Sequence, residues 1–424
     1  MAVGDYLPIA TLAGPKGNKM IITIAIAVAV VVLVILLIVL GIIIIRKRKS
    51  KSDVENCTLP EPNIENNPRD VTQNQTTEID SKVGDLVGID KDCSTTLESL
   101  YYDFADIQAA TDNFARANKI GRGGSGIVYK GTLQDGQQIA VKRLSNGSDP
   151  GDKEFKTEVA FLAKLQHTNL VRLLGFSIAE DEALLVYEFV ANKSLDYFIF
   201  DSKKRAELNW SSRFEIIKGI AQGMMYLHED SSMRTMHRDL KAGNILLDSK
   251  MCPKIADFGL ARICGIGQTH INPTQVVGTH GYMAPEYLFH GQFSAKSDVY
   301  AMGVLILEIV SGRRISGSSF HQPGGEGLIS FAWRCWEDEN PLEIMDPELK
   351  DSFSRDEAVK CVQLGLLCVQ EDSNLRPTMS IIVHTLNADD NGASLSVPQH
   401  PPFVYSGGSN QSNTMSSNAN TNTN

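Results

Sequence analysis

Apolar and polar positions divide the chain into segments of different character. Residues 21–45 are apolar apart from Thr23 and Gly41, and a helix of this length exceeds the roughly 30 Å of hydrocarbon in a bilayer. A run this long without a charge is untypical of a buried core helix, and the apolar region of a cleaved signal peptide is shorter. We therefore predict one transmembrane helix over residues 20–45.

The residues that flank this helix predict its orientation. The run from Arg46 to Lys49, followed by Lys51, is basic, and lysine and arginine remain on the cytosolic side of a membrane. Residues 1–19 then form a short extracytosolic segment that is too small for a folded domain. The pattern predicts a single-pass membrane protein whose remaining chain lies in the cytosol.

Two further segments lack a regular apolar pattern. Residues 52–98 contain many Asn, Asp, Glu, Thr and Ser residues, a composition typical of solvated chain, so we interpret residues 46–113 as a juxtamembrane linker. Residues 389–424 end in a tract of Asn, Ser and Thr, which predicts a disordered C-terminal tail.

Residues 114–388 are densely patterned, and the period of the pattern changes once. Short β-type runs fill residues 120–189 and are interrupted by one amphipathic stretch over 153–166. Beyond residue 194 apolar residues recur at helical spacing, as in Phe214, Ile217, Ile220, Met224 and Leu227. The predicted fold class is α+β, with a small β-rich lobe, then a larger helical lobe, preceded by one transmembrane helix.

Composition excludes one class of function and indicates the redox state. The 424 residues carry a formal net charge of −10, whereas a nucleic-acid-binding protein usually presents a basic face. No nucleic-acid partner is therefore expected. The seven cysteines show no Cys-x-x-Cys pair, so we expect reduced cytosolic thiols rather than a metal site or disulfides.

A glycine-rich run opens the β-rich lobe. Glycines allow a turn to approach phosphates closely and to offer them backbone N–H groups. A dinucleotide site uses similar spacing but requires a helix directly after the glycines, and residues 127–132 have the pattern of a strand. The predicted phosphate-binding hairpin comprises Ile120, Gly121, Arg122, Gly123, Gly124, Ser125, Gly126, Ile127 and Val128.

The next strand and the amphipathic stretch supply a candidate ion pair. Ala140 and Lys142 lie two residues apart on a predicted strand, so their side chains face the same way. Ala140 is placed to contact an adenine ring, and Lys142 to reach the α- and β-phosphates. Glu158 on the amphipathic helix is predicted to pair with Lys142, which would make the position of that helix a control on activity.

The helical lobe contains two clustered motifs that predict phosphoryl-transfer chemistry. In the run His237–Asn244, Asp239 is the candidate base, Lys241 would neutralise the transferred phosphoryl group, and Asn244 is a candidate Mg²⁺ ligand. Asp257, in Asp-Phe-Gly, is the second candidate Mg²⁺ ligand, and it follows a short predicted hairpin. These residues predict ATP and Mg²⁺ as the cofactors.

Three more charged residues are predicted to be structural. Glu286, in Ala-Pro-Glu, is expected to form a buried pair with Arg376. Asp298 opens a strongly apolar stretch and is predicted to anchor the backbone of the catalytic run; the alternative is an ordinary acidic residue at a helix N-terminus.

Taken together, these motifs resemble the eukaryotic protein kinase family over roughly residues 114–386. The stretches 103–114, 188–195 and 278–286 are similar to plant receptor-like kinases, closest to the cysteine-rich receptor-like serine/threonine kinases without their extracellular domain. The family resemblance implies a kinase at the plasma membrane that acts on protein substrates in signalling. It also implies homo- or hetero-oligomers with other receptor-like kinases as partners.

The same resemblance implies roles for individual residues. Tyr187 corresponds to the gatekeeper, Glu188 and Val190 belong to the hinge that binds adenine through its backbone, and Leu246 contacts the nucleotide. Lys241 is typical of serine/threonine kinases. Arg238, directly before Asp239, is typical of kinases that are activated by phosphorylation of the segment 257–286, in which the candidate sites are Thr269, Thr274 and Thr279.

Two positions depart from the family pattern. Ser125 stands where the tip of the glycine-rich loop usually carries an aromatic residue, and His280 stands at a position that is commonly tyrosine. The main alternative to a kinase is therefore a membrane-tethered pseudokinase or scaffold that acts by protein binding. A ligand-sensing receptor is a third interpretation, which the short segment 1–19 disfavours.

Overall fold

The computed structural model describes residues 99–124, 126–145, 149–179, 182–264, 270–271, 275–315, 326–350, 352–388 and 395–401. The predicted extracytosolic segment and transmembrane helix lie outside these ranges, as do Ser125, Thr269 and Thr274. Within the described ranges, no helix combines the length and the apolar character needed to cross a membrane.

The first lobe contains a five-stranded antiparallel sheet with the strand order β1-β2-β3-β5-β4. Helix α1 precedes the sheet, and helix α2 connects β3 to β4. The elements are α1 Phe104–Ala110, β1 Lys119–Arg122, β2 Gly126–Thr132, β3 Gln138–Leu144, α2 Asp149–Leu162, β4 Leu173–Ala179 and β5 Glu182–Glu188.

Side-chain alternation along the strands gives this sheet two different apolar faces. On one face Ile139 and Val141 of β3 are buried together with Ile107 of α1. On the other face, Phe155 of α2 packs edge-on against Phe176 of β4, with ring centroids 5.8 Å apart. The sheet therefore lies between α1 and α2.

The chain before α1 covers the outer edge of β4. The backbone N–H of Tyr102 donates to the carbonyl of Phe176, and the N–H of Phe176 donates to the carbonyl of Leu100, each over 2.9 Å. A Cβ at Gly175 would lie 2.1 Å from the Leu100 carbonyl oxygen, so only glycine permits this approach. Residues 100–110, which the sequence analysis assigned to the linker, are thus packed against the sheet.

The second lobe is mainly helical, as predicted. Its strands form three short antiparallel pairs, β6 with β9, β7 with β8, and β10 with β11. The elements are α3 Leu195–Ile199, α4 Trp210–Met225, β6 Thr235–Met236, β7 Ile245–Leu247, β8 Pro253–Ile255, β9 Arg262–Ile263, β10 His270–Ile271, α5 Pro285–His290, β11 Phe293–Ser294, α6 Ala295–Ser311, α7 Leu328–Glu337, α8 Arg355–Cys368 and α9 Met379–Asn387.

Short helical turns connect the elements of both lobes. One turn, directly after α4, has π-helical hydrogen bonding and spans Tyr226–Asp230. The remaining turns are 3₁₀ helices, at Arg116–Asn118, Arg205–Glu207, Ala242–Asn244, Pro341–Ile344, Pro347–Leu349 and Ser373–Leu375.

Helix α6 forms the centre of this lobe. Ser294 caps its N-terminus and exchanges hydrogen bonds with Ser297, and Gly312 ends it with a φ of 66°. Nearly all of its side chains are buried, as its apolar composition predicts. Gly303 meets Gly365 of α8 so closely that a Cβ on Gly303 would lie 2.9 Å from the Gly365 carbonyl oxygen.

Residues 395–401, which belong to the predicted disordered tail, lie against the second lobe. The side chain of Gln363 donates to the Ser396 carbonyl over 3.0 Å, and that of Gln370 donates to the Gln399 carbonyl over 2.7 Å. This segment of the tail therefore has a defined position in the structure.

The substitution Ile107→Ala tests whether α1 is part of the folded lobe. The Ile107 side chain is fully buried, so its truncation should lower the free energy of unfolding by about 2–5 kcal/mol. Ala105→Ser, at an exposed position of the same helix, is the matched control and should change little. Thermal unfolding of the full chain measures both effects. Equal stability of the Ile107→Ala variant and the parent would favour the linker interpretation.

Candidate active site

The glycine-rich run forms the β1–β2 hairpin, as predicted. Its turn is closed by a bond from the Gly123 N–H to the Gly126 carbonyl over 2.9 Å. At Gly126 a Cβ would lie 2.2 Å from the Arg143 carbonyl oxygen, so a side chain here would separate β2 from β3. Ile120 at the start of the hairpin is half exposed.

Strand β3 orients Ala140 and Lys142 to one face, opposite to the buried Ile139 and Val141. The Lys142 ammonium lies 2.5 Å from Glu158 Oε1 of α2, so the predicted ion pair is confirmed. It also lies 2.9 Å from Asp257 Oδ1. One ammonium thus joins β3, α2 and the Asp-Phe-Gly segment.

The charges of this trio depend on one another. Burial would lower the pKa of Lys142, but the carboxylates of Glu158 and Asp257 outweigh it and raise the pKa above its ordinary value. Burial also acts to raise the pKa of Asp257, yet Lys142 holds it below its usual range. Lys142 is therefore protonated and Asp257 ionised at neutral pH, as phosphate and metal binding require.

Tyr187 takes part in this network, and the sequence analysis did not predict that contact. Its hydroxyl donates to Glu158 Oε2, so both carboxylate oxygens of Glu158 have a partner. Burial raises the pKa of Tyr187 well above its usual value, and the neighbouring carboxylate adds to the effect. The residue predicted as gatekeeper therefore contacts the α2 carboxylate from β5.

The predicted hinge follows Tyr187 at the end of β5. Val190 is buried, and the Glu188 carboxylate accepts from Lys254 Nζ of β8 and from the Arg172 N–H, each over 2.9 Å. Leu246 of β7 pairs with Lys254 and remains partly exposed. These contacts tie the connection between the lobes to the β7–β8 hairpin.

The catalytic run brings its candidate base and cation together. The Lys241 ammonium lies 2.5 Å from Asp239 Oδ2 and 3.0 Å from Thr279 Oγ1. The Thr279 hydroxyl donates to Asp239 Oδ1 over 2.7 Å, a contact that sequence spacing does not predict. A hydroxyl, an ammonium and a carboxylate therefore meet at one point.

Asn244 completes this arrangement and is a suitable metal ligand. Its Nδ2 donates to the Asp239 carbonyl over 2.8 Å and to Asp239 Oδ2 over 3.0 Å, and these bonds do not use its Oδ1. The Asn244 carbonyl accepts from the Ala256 N–H over 2.8 Å, which brings Asp257 beside it. An amide oxygen and a carboxylate fit Mg²⁺, which binds hard oxygen ligands and is usually completed by substrate phosphates.

Asp298 holds the backbone of the catalytic run, as predicted. Its Oδ2 accepts from the His237 N–H over 2.8 Å and its Oδ1 from the Arg238 N–H over 2.9 Å. Arg238 has a φ of 69° and Asp257 one of 67°. Left-handed backbone at such residues costs of order 1–3 kcal/mol and persists where the surroundings enforce it.

Arg238 and Arg262 are neighbouring cations, since Arg262 of β9 pairs with Met236 of β6, two residues before Arg238. Burial lowers the pKa of Arg262, and the Arg238 guanidinium lowers it further. Arg238 donates to the Tyr287 hydroxyl over 2.6 Å. Neither guanidinium pairs with a carboxylate of the residues that the structure describes. Arg262 was not predicted, and its place four residues after Phe258 carries no distinctive signal.

Contacts with the helical lobe fix the segment that follows Thr279. Arg376 pairs with Glu286 through two bonds of 2.8 Å, which confirms that prediction. The Tyr282 hydroxyl donates to Glu308 Oε2 over 2.5 Å, a contact that the sequence analysis missed. Burial raises the pKa of Glu308 to about 7, so this carboxyl group is only partly ionised at neutral pH. His280 is exposed at the start of the segment.

Comparison with known families agrees with this geometry. A family model described as the protein kinase domain matches residues 114–386. Because that range is more than half of the chain, the chain belongs to the protein kinase family. The predicted bilobed fold, with a β-sheet lobe followed by a helical lobe, is thereby confirmed.

Individual curated proteins show which kinases the kinase region resembles. Cysteine-rich receptor-like protein kinase 5 of Arabidopsis thaliana is 55% identical over 318 residues, which cover 74% of this chain and 48% of that protein. Cysteine-rich receptor-like protein kinase 10 of the same plant is 55% identical over 312 residues, which cover 73% and 46%. The predicted resemblance to these kinases is confirmed. The chain spans about half the length of the curated relatives it matches.

Proposed function

We propose that this chain is a serine/threonine protein kinase that transfers the γ-phosphate of ATP to protein hydroxyls in signalling. The observation that supports it most strongly is the meeting of Asp239, Lys241 and Thr279 at one point. A substrate hydroxyl that replaces the Thr279 hydroxyl on Asp239 would lie beside both a base and a cation.

In the proposed reaction Asp239 accepts the proton of the substrate hydroxyl, and the hydroxyl oxygen attacks the γ-phosphorus of ATP. The bond from that phosphorus to the bridging oxygen of ADP breaks, and ADP leaves. Lys241 is positioned to neutralise charge on the transferred group, and Lys142 to hold the α- and β-phosphates. Mg²⁺, held by Asn244 and Asp257, would neutralise the phosphate oxygens.

The adenine ring would occupy the cleft between the hinge and the glycine-rich hairpin. Ala140 and Val128 line the sheet side of this cleft, and Leu246 lies on the opposite lobe. Backbone groups of Glu188 and Val190 would bind the adenine edge. These placements support ATP as the phosphoryl donor.

Lys241 and Thr279 also support the choice of acceptor. Both side chains contact the candidate base Asp239. A lysine two residues after this aspartate is typical of serine/threonine kinases, which supports serine and threonine hydroxyls as the acceptors. The protein substrates themselves belong to this proposal.

Residues 1–45 and the basic run 46–51 support a membrane location. We propose a single-pass protein of the plasma membrane with a cytosolic kinase region, which forms homo- or hetero-oligomers with other receptor-like kinases. The similar Arabidopsis proteins are named receptor-like, and this chain's own role in such assemblies is part of the proposal.

The substitution Asp239→Asn tests the reaction. Autophosphorylation of the purified full chain with Mg·ATP should fall by about 10²–10⁴-fold, because an amide accepts no proton. Phosphoserine and phosphothreonine should dominate the labelled product. Asp338→Asn, the same chemical change at an exposed position, is the control. A parent chain that binds ATP but transfers no phosphate would support the pseudokinase or scaffold instead.

The neighbouring guanidiniums of Arg238 and Arg262 predict a phosphate-dependent activation. A phosphate on Thr269 or Thr274 would bring nearly two negative charges to this pair. Phosphatase-treated chain should start at least tenfold more slowly and recover during incubation with Mg·ATP. The double variant Thr269→Ala, Thr274→Ala should not recover. Full initial activity of the phosphate-free parent would contradict the mechanism.

Protease protection tests the orientation. In sealed vesicles with the cytosolic face inside, added protease should leave the kinase region intact and membrane-bound, because the basic run 46–51 resists transfer across the bilayer. Detergent, which opens the vesicles, is the control and should permit digestion. Digestion of intact vesicles would reverse the proposed orientation, and release by an alkaline wash would exclude the anchor.

A further inference from the structure

Residues 395–401 are buried with a period of three. Pro398 and Pro401 are buried and Leu395 is half-buried, whereas the four residues between them are exposed. Val397, for example, retains 77% of its accessible surface. No helix or strand includes these residues. A period of three in an extended segment is the repeat of the polyproline II helix.

The local sequence favours this conformation. Proline fixes φ of Pro398 and Pro401 near −65°. Val397 and His400 each precede a proline, which confines them to extended or polyproline II backbone. Four of the seven residues are therefore restricted before any contact forms, so little conformational entropy is lost when the segment binds.

Two glutamine side chains bind the backbone of this segment. The amide of Gln370 donates to the Gln399 carbonyl over 2.7 Å and accepts from the Gln399 N–H over 3.2 Å. Gln363 donates to the Ser396 carbonyl over 3.0 Å. Polyproline II has no internal hydrogen bonds, so its backbone groups are available for such contacts.

The two glutamines lie in the C-terminal half of α8 and just beyond it. Gln363 is part of α8, and Gln370 follows two residues after that helix ends at Cys368. From Ser396 to Gln399 is three residues, which advance about 9 Å in polyproline II. The two glutamines therefore bind the segment at points one polyproline II turn apart.

The surface that binds the segment contains a glutamine whose orientation is fixed by the second lobe. Gln370 is 2% exposed, and its amide also donates to the Leu366 carbonyl over 2.9 Å, which fixes its orientation. Trp333 of α7 contacts the His400 ring edge-on, with centroids 5.4 Å apart. Aromatic-lined grooves are the usual binding sites for polyproline II peptides.

We propose that the surface formed by Trp333, Gln363 and Gln370 is a binding site for proline-rich peptides in the polyproline II conformation. We call it the tail groove. Its ligand carries apolar residues at every third position, as in Leu-x-x-Pro-x-x-Pro, and residues 395–401 are its intramolecular ligand. Covalent attachment gives a short tether an effective concentration in the millimolar range, so the chain's own tail excludes free peptides of ordinary affinity.

A fluorescent peptide with the sequence of residues 393–403 tests the tail groove on the full chain. In the variant Pro398→Asp, Pro401→Asp the chain's own tail can no longer occupy the groove. The peptide should bind this variant at least tenfold more tightly than the parent chain, by fluorescence anisotropy. A peptide with the same two substitutions should not bind. One with Ser396→Ala, at an exposed position, should bind like the original.

Two other results would each overturn part of the proposal. Absence of binding to the variant, with an unfolding midpoint equal to that of the parent, would exclude the groove as a peptide site. Equal binding to the parent and the variant would exclude occupation by the chain's own tail.

Hydrogen exchange gives a second measurement without substitution. The Gln399 amide of the parent should exchange at least tenfold more slowly than that of Val397, because it donates to Gln370. Equal exchange would overturn the proposal. Protection that appears only at high concentration, together with a dimer in sedimentation, would assign the tail to a second copy and overturn the intramolecular arrangement.

Discussion

The buried Asp298 carboxylate is the contact on which the geometry of the site depends. It stands in the first turn of α6, the most deeply buried helix of the second lobe, and accepts from the backbone of His237 and Arg238. The His228 ring, 2.9 Å away, is its third partner. A left-handed Arg238 is costly by itself, and these bonds stabilise it. The direction in which Asp239 points is thus fixed by the hydrophobic core.

Local sequence patterns predicted the parts of the site whose partners the motifs define. The Lys142–Glu158 pair, the Glu286–Arg376 pair and the Asp298 anchor follow from charged residues at recognisable positions. The contacts of Tyr187, Thr279 and Arg262 do not, because neither the residue type nor the surrounding motif specifies a partner for these side chains. The distance in sequence from Thr279 to Asp239 is forty residues, and no periodicity encodes such a contact.

The same limit explains the two ends of the folded region. Residues 100–110 and 395–401 lie at the ends of longer segments whose polar composition indicates solvated chain, yet each supplies a few apolar residues at the right spacing. Ile107 is buried against the sheet, and Pro398 and Pro401 against the helices. Composition averages over a window, whereas burial needs only one residue per turn. Short segments that bind a finished lobe are therefore missed by composition.

The position of α2 is determined by charge as well as by packing. Glu158 is fully buried, and burial raises its pKa, which Lys142 and the Tyr187 hydroxyl oppose. If α2 moved away while Glu158 stayed buried, a carboxylate would lose both partners at a cost of several kcal/mol. If α2 moves, Glu158 must therefore reach water or another cation. Lys142 would then retain only Asp257 as an ionic partner. Tyr187, on β5, reaches the same carboxylate from the strand that leads into the predicted hinge. One buried side chain thus contacts β3 through Lys142 and β5 through Tyr187.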